Sequence, residues 1–421
     1  MNLSAAVLTL TAFYEARRRY KAARTRHHLL AAQHRRLDKF LAGKAADVPA
    51  FKAFGGLPLS DWPVMDKAAL MADFDRYNRL GLTAVQGWAH LEAGTAPKGY
   101  AIGASTGTSG NRGLYIVSER ERYRWLGTML SRALPDFLSR KHRVAIVLPA
   151  NSRLYDAANE SGRLSLRFFD LGRGIDAQFA PLAEFQPTVI VAPPKFLRAL
   201  SESGTALTPE RIFSGAEVLD SEDRRIIEAR FGLKLREIYM ATEGLFAIAC
   251  EHGTLHLLED QVAFEFQPVE GSDTLVTPLI TDFSRQTQVM VRYRMNDVLE
   301  LTDMPCPCHA PHRAIRQIHG RCDDIFTLPS YGQPVRVTPD VIRNAVLRAD
   351  RRISDFRVTQ IARNKVLLEL KVEEADCLDA ASASLAAMFK ACGAVPDIAT
   401  GTALLLPPSD HKLRRVRVAI P

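Results

Sequence analysis

The chain has 421 residues, 47% of them hydrophobic and 24% charged. That is the balance of a globular protein too long for one ordinary core. No apolar run approaches the roughly eighteen residues a spanning helix needs, so no transmembrane segment is expected. The formal net charge of +8 sits almost wholly in residues 1–40, where nine Lys/Arg face only Glu15 and Asp38. The near-neutral remainder argues against a nucleic-acid surface on the body.

Residues 1–48 read as a basic N-terminal helical segment, with Phe13, Tyr20, Leu30, Leu37 and Leu41 recurring near helical spacing. Its arginine face is either solvated or a contact for an acidic carrier protein or an anionic surface. The mildly apolar stretch 3–14 precedes its basic residues and no small-residue cleavage site follows, so it is not read as a signal peptide and a cytoplasmic location is expected.

Residues 49–80 read as a turn-rich entry with short helices. Buried strands are expected at 143–149 and 187–193, and helices at 118–138, 195–204 and 220–231. This alternation argues for an α/β fold with mostly parallel sheets, with functional loops beyond the carboxyl ends of the strands. Residues 274–301 look antiparallel. After Asp324 the pattern becomes strands near 355–372, a helix near 377–392 and a strand near 402–406, a small α+β unit. The expected division is 1–48, a large domain 49–321 and a small mobile domain 322–421.

The richest local signal is Ser105-Thr106-Gly107-Thr108-Ser109-Gly110-Asn111-Arg112-Gly113. Its glycines permit φ > 0 and its hydroxyls add donors, which together can cradle a polyphosphate. No Gly-Lys-Ser/Thr follows, so it is not a Walker loop. Four further segments come in order: Phe213-Ser214-Gly215-Ala216-Glu217, Tyr239-Met240-Ala241-Thr242-Glu243-Gly244, Tyr293-Arg294-Met295-Asn296-Asp297 and Gly320-Arg321-Cys322-Asp323-Asp324.

From about Leu57 onward, this ordered set resembles the adenylate-forming superfamily of acyl- and aryl-acid ligases, in particular its phenylacetate–CoA ligase-like branch. The resemblance implies ATP- and Mg²⁺-dependent activation of a small, aromatic carboxylic acid as an acyl-adenylate. The acyl group then passes to the thiol of coenzyme A or of a carrier protein's phosphopantetheine. It implies that Ser105, Thr106, Gly107, Thr108, Ser109 and Gly110 hold the β- and γ-phosphates and that Thr242 reaches the α-phosphate. Glu243 holds Mg²⁺, a hard cation suited to a carboxylate and phosphate oxygens. Asp297 takes the ribose and Arg321 assists at ribose or phosphate. Gly215, Ala216, Glu217 and Tyr239 border the nucleotide, and Tyr155, Ser214 and Met240 the acyl group. The small domain turns about Asp323, and Lys412 enters the site only for adenylation. Two departures stand out: the loop ends Arg112-Gly113 where relatives have Pro-Lys, and His411 replaces the glycine usual before the lysine.

Six cysteines in a long chain without a secretory signal argue against a disulfide framework. Cys250, His256, Cys306 and Cys308 make an acceptable donor set for a structural Zn²⁺, with His309 and His312 as competing ligands. Reduced surface thiols are the plainer reading. Two rival functions remain. One is an adenylyltransferase that stops at AMP transfer; the other is a non-catalytic zinc protein whose basic arm binds nucleic acid. The acid, the acceptor and the oligomeric state are not legible.

Overall fold

The structure is a computed structural model that describes residues 3–105, 112–148, 163–330, 332–405 and 414–420. Thr106–Asn111, Tyr155 and Lys412 therefore lie outside the described residues.

The N-terminal segment folds as two helices, α1 (Leu3–Ala22) and α2 (Arg26–Phe40), where the sequence suggested one element. Thr25 separates them: its hydroxyl caps α2 by accepting from His28 N at 3.2 Å. The buried apolar residues include Phe13, Leu29 and Leu37, with Leu29 taking the place expected of Leu30. α1 crosses the helix Glu119–Ala133 closely at Gly127, where an added Cβ would lie 2.4 Å from Thr9 O. Only glycine admits that approach. Glu119–Ala133 starts at a capping box formed by Ser118 and Glu121, and it stops short of the expected residue 138.

A twelve-stranded sheet forms the body of the large unit. Five strands pair in parallel, in the order Leu164–Asp170, His142–Leu148, Val189–Ala192, Arg211–Ser214 and Leu235–Ala241. The near-continuous apolar runs of His142–Leu148 and Val189–Ala192 suit strands buried on both faces. Beyond Leu235–Ala241 the pairing becomes antiparallel, through Gly244–Ala249, Leu255–Leu257, Ala314–Arg321, Asp297–Thr302, Leu275–Asp282 and Val262–Pro268. The α/β class holds, but parallel pairing is confined to one half of the sheet. The expected antiparallel character of 274–301 is found there.

A separate core, including Phe326, Val358, Leu368, Leu385 and Phe389, fills the C-terminal unit. Its four-stranded sheet runs Asp397–Ala403, Lys365–Lys371, Phe356–Ala362 and Val416–Val418. Helices Pro339–Ala349 and Leu378–Ala391 pack on it. The strand expected at 402–406 lies earlier, and the helix Pro339–Ala349 had no sequence expectation.

The two units meet through buried charge. Asp220 precedes the helix Ser221–Phe231 of the large unit and contacts Arg343 Nε at 3.1 Å and Arg415 Nη1 at 3.4 Å. Lys195 Nζ reaches Asp355 Oδ2 at 2.8 Å, and Arg198 Nη2 donates to Arg351 O at 3.1 Å. Pairs this buried bring large desolvation costs, so they define an arrangement more than they add stability.

Candidate functional site

A cavity of about 460 Å³ opens where the carboxyl ends of the parallel strands, the antiparallel half and the C-terminal unit converge. Ser105, Ser214, Ala216, Glu217, Tyr239, Met240, Thr242, Glu243, Asp297, Arg321 and Asp323 all line it. Segments far apart in the chain are thus gathered on one cavity. Gly215 lies in the backbone between two lining residues, with its N–H donated to Ala192 O at 3.2 Å. Ala216 holds φ +69°, a left-handed conformation uncommon for a residue with a side chain. Ser214 Oγ is buried with no hydrogen-bond partner among the described residues.

Two phenols set the carboxylates. Tyr239 donates to Asp297 Oδ2 at 2.6 Å, and Tyr293 donates to Glu243 Oε1 at 3.0 Å. Burial, and then the adjacent carboxylate, pushes each phenol's pKa above its ordinary value. Both phenols therefore stay protonated donors to their carboxylates.

The foot of the glycine/hydroxyl loop is tied by Ser105. Ser105 N donates to Gly113 O at 2.8 Å, and Gly113 N donates to Ser105 Oγ at 2.8 Å. Arg112 turns aside, its guanidinium 5.4 Å from the Trp88 ring centroid and its Nε donating to Ser105 O at 3.3 Å. A cation does stand beside this foot. The stem of Lys67 passes Gly113, where an added Cβ would meet its Cδ at 3.5 Å, and Lys67 lines the cavity. No sequence motif marked it.

Residues 282–288, also unmarked in the sequence, join the parts of the site. Arg285 Nη1 donates to the carbonyls of Thr242 and Glu243, each at 3.2 Å. Gln288 accepts from Ile116 N at 3.0 Å and donates to Leu114 O at 3.3 Å. Glu121 accepts from Thr287 N at 2.8 Å and from Ser118 Oγ at 2.6 Å, and also from Gln286 N. Burial raises the Glu121 pKa, but these hydrogen bonds outweigh it and hold the carboxyl below its ordinary range. The sequence marked here only a helix at 118–138.

At the seam, Gly320 takes φ +132°, and an added Cβ would meet Pro339 Cβ and Cγ at 3.0 Å. Glycine is required both for the backbone angle and for the approach of the helix Pro339–Ala349. Asn296 Nδ2 donates to Asp323 Oδ2 at 2.6 Å, and Arg414 pairs with Asp324.

The cysteine cluster lies apart from this cavity. Cys250, His256, Cys306 and Cys308 place their ligand atoms within 4.8 Å of one another. Cys250 Sγ is 3.6 Å from Cys306 Sγ, close to the roughly 3.8 Å edge of a tetrahedron with 2.3 Å metal–sulfur bonds. Cys308 Sγ is 3.2 Å from His256 Nε2. His256 Nδ1 faces His312 O at 3.1 Å, which fixes the ring with Nε2 toward the sulfurs. The His312 ring instead stacks on Tyr20, 5.4 Å away, and lies 3.7 Å from Asp260. His309 is exposed with φ +55°. The donor set therefore fits a closed Zn²⁺ site.

No family model matches the chain. It is 29% identical over 227 residues to the phenylacetate-coenzyme A ligase of Pseudomonas putida, a match covering 49% of this chain and 50% of that protein. The chain thus spans about half the length of the curated relative it matches. It shares its fold with 2-hydroxyisobutyryl-CoA ligase. In that enzyme's postadenylation state the TM-score is 0.68 at 16% identity, covering 95% of this chain and 91% of the other. In the thioesterification state the TM-score is 0.55 at 18% identity, covering 94% and 91%. The chain is therefore similar to AMP-forming acyl-CoA ligases, in fold over nearly its whole length and in sequence over half of it.

Proposed function

We propose that the chain is an ATP-dependent acid–thiol ligase. The observation that carries this reading is the convergence on one cavity of the Tyr239–Asp297 and Tyr293–Glu243 pairs, the foot of the glycine/hydroxyl loop and Arg321. A carboxylate is a poor electrophile. In the first step its oxygen attacks the α-phosphorus of ATP, the bond to the β-phosphate bridging oxygen breaks, and pyrophosphate leaves. In the second a thiol attacks the acyl carbon, loses its proton, and AMP departs with the former carboxylate oxygen.

Asp297, held by Tyr239, is the carboxylate we assign to the ribose hydroxyls. Arg321 supplies positive charge at the ribose or phosphate. Thr242 faces the α-phosphate, with its backbone pinned by Arg285. Glu243, with one oxygen on Tyr293, offers the other to Mg²⁺, which would neutralise phosphate charge when bound. Lys67 takes the place left by Arg112 beside the phosphate loop. Ala216, Glu217 and the hydroxyl of Ser214 border the adenine and acyl pockets. Lys412 is the residue we assign to bridge carboxylate and α-phosphate during adenylation.

We divide the chain into residues 1–48, 49–321 and 322–421, turning about Asp323. We read the described arrangement as the adenylating one, supported by the better overlay on the postadenylation state. A small acid is the substrate class, and an aromatic acid is favoured by the phenylacetate-specific name of the sequence relative. Coenzyme A is the acceptor we favour, because the names of both similar enzymes are those of CoA ligases. Zn²⁺ is assigned to the cysteine cluster on its donor set.

The test is ATP–pyrophosphate exchange over a panel of aryl and short aliphatic acids. Exchange that depends on one acid class, followed by thioester formation with coenzyme A, supports the reading. Exchange without any thioester would favour an adenylyltransferase, and no exchange with steeply salt-dependent nucleic-acid binding would favour the zinc-protein rival.

A further inference from the structure

We propose that a second recess, between the α1–α2 hairpin and residues 283–286, binds a small oligophosphate anion. Its volume is about 430 Å³. Five cations line it, Arg19, Arg36, Lys39, Lys44 and Arg124, against two acids, Glu15 and Asp47. Both acids are already engaged: Glu15 lies 3.5 Å from Arg19, and Asp47 lies 2.7 Å from Arg79 outside the lining. Arg19 also lies 3.3 Å from Asp260 behind the wall, and the positive charge that remains in excess matches a ligand carrying several negative ones.

The lining also shows what a ligand would satisfy. Arg36 packs 4.8 Å over the Phe283 ring and donates to the Asp260 carbonyl, not to a carboxylate side chain. Burial, and then Arg19, lowers its pKa to about 10, and burial with Arg120 lowers that of Arg124. These are crowded cations whose charge an anion would stabilise. Gln261 is nearly fully buried in the wall; its Oε1 accepts from Thr128 Oγ1 at 3.2 Å, while its Nε2 has no partner among the described residues. A buried amide donor left without a partner is unfavourable unless a ligand meets it.

A recess bordered by helix and loop suits a compact phosphate ester or pyrophosphate better than a duplex or a bilayer. Its wall belongs to the same segment whose Arg285 holds the Thr242 and Glu243 carbonyls. The inference does not depend on the proposed reaction.

The test is lysine acetylation read by mass spectrometry on the full chain without ATP, using inorganic pyrophosphate as the probe. At pyrophosphate about ten times its Kd, Lys39 and Lys44 should label roughly tenfold more slowly. Arg124→Gln and Arg36→Gln should each abolish this protection while the lysines still label at their ordinary rate. Lys67 reports separately on the ligase cavity, so failure of one site leaves the other readable. Equal labelling with and without pyrophosphate would overturn the proposal. So would protection reproduced by sodium chloride at matched ionic strength, or protection retained in both arginine variants.

Discussion

Tyr239 and Asp297 join the two halves of the central sheet at the candidate site: the phenol of the last parallel strand donates to the carboxylate that opens an antiparallel one, at 2.6 Å. Burial and the neighbouring charge push the phenol's pKa up, so it stays protonated and donates to Asp297. If Asp297 takes the ribose as proposed, Tyr239→Phe should raise the KM for ATP with a smaller change in kcat, because that carboxylate loses its support. The stability cost should be about 1 kcal/mol. Steady-state kinetics with ATP varied checks this; an unchanged KM would separate Asp297 from nucleotide binding.

Asp220 tests the seam. It faces Arg343 and Arg415, both from the C-terminal unit. Asp220→Asn leaves two buried guanidinium groups short of a counter-charge, a loss that typically costs several kcal/mol of the contact. Adenylation should slow by tenfold or more, while transfer from preformed acyl-adenylate to a thiol stays near the wild-type rate. Rapid-quench assays of the two half-reactions read this split. Equal slowing of both would make Asp220 a general stabiliser.

His319 gives the same seam a pH dependence. Its Nε2 lies 3.3 Å from Glu300 of the large unit, and its Nδ1 lies 2.9 Å from Asp340 of the C-terminal unit. The Nδ1 approach is off-axis for a hydrogen bond, so it acts as a charge contact. Burial lowers the His319 pKa, but the two carboxylates outweigh it and leave it raised above 6.5. A raised folded-state pKa means the stabilisation is fully present below the unfolded value and is lost as pH rises through the folded one. His319→Gln should lower the thermal midpoint by roughly 1–3 °C in mildly acidic buffer and by less in alkaline buffer. A difference that grows with pH would contradict the assignment.

The cysteine cluster makes a stoichiometric statement. Protein purified without chelator should carry about one zinc per chain, and Cys308→Ser should lower both zinc content and thermal midpoint. Burial, with the Cys306 and Cys250 sulfurs nearby, pushes the Cys308 thiol up to about 12 when no cation is present. Zinc-free protein of unchanged stability would remove the metal from this account.

What the sequence displayed was chemistry with a local signature. Glu243, Asp297 and Arg321 sit in short motifs, and the structure gathers all three on one cavity. Cys250, His256, Cys306 and Cys308 have a donor chemistry visible without coordinates, and the fold brings them within ligand distance. Arg285 and Gln288 were invisible because their roles are long-range: they reach Glu243 and Leu114 through tertiary contacts that no spacing encodes. Lys67 was missed for the same reason, since it meets Gly113 only after the chain folds back. The antiparallel half of the sheet was partly hidden because buried strands of either kind share apolar runs. Helix α2 went unresolved because a capping threonine between two basic helices looks like any surface threonine.

The most direct test of the central claim is a single-turnover reaction with α-labelled ATP, magnesium and an acid that supports exchange, run first without thiol and then chased with coenzyme A. Labelled acyl-adenylate should accumulate near one equivalent per site. It should then convert to AMP and acyl-thioester in equal amounts, and Glu243→Gln should form it at least about a hundredfold more slowly. ATP cleavage that proceeds without the acid, or that yields ADP with no acyl-adenylate, would contradict the assignment.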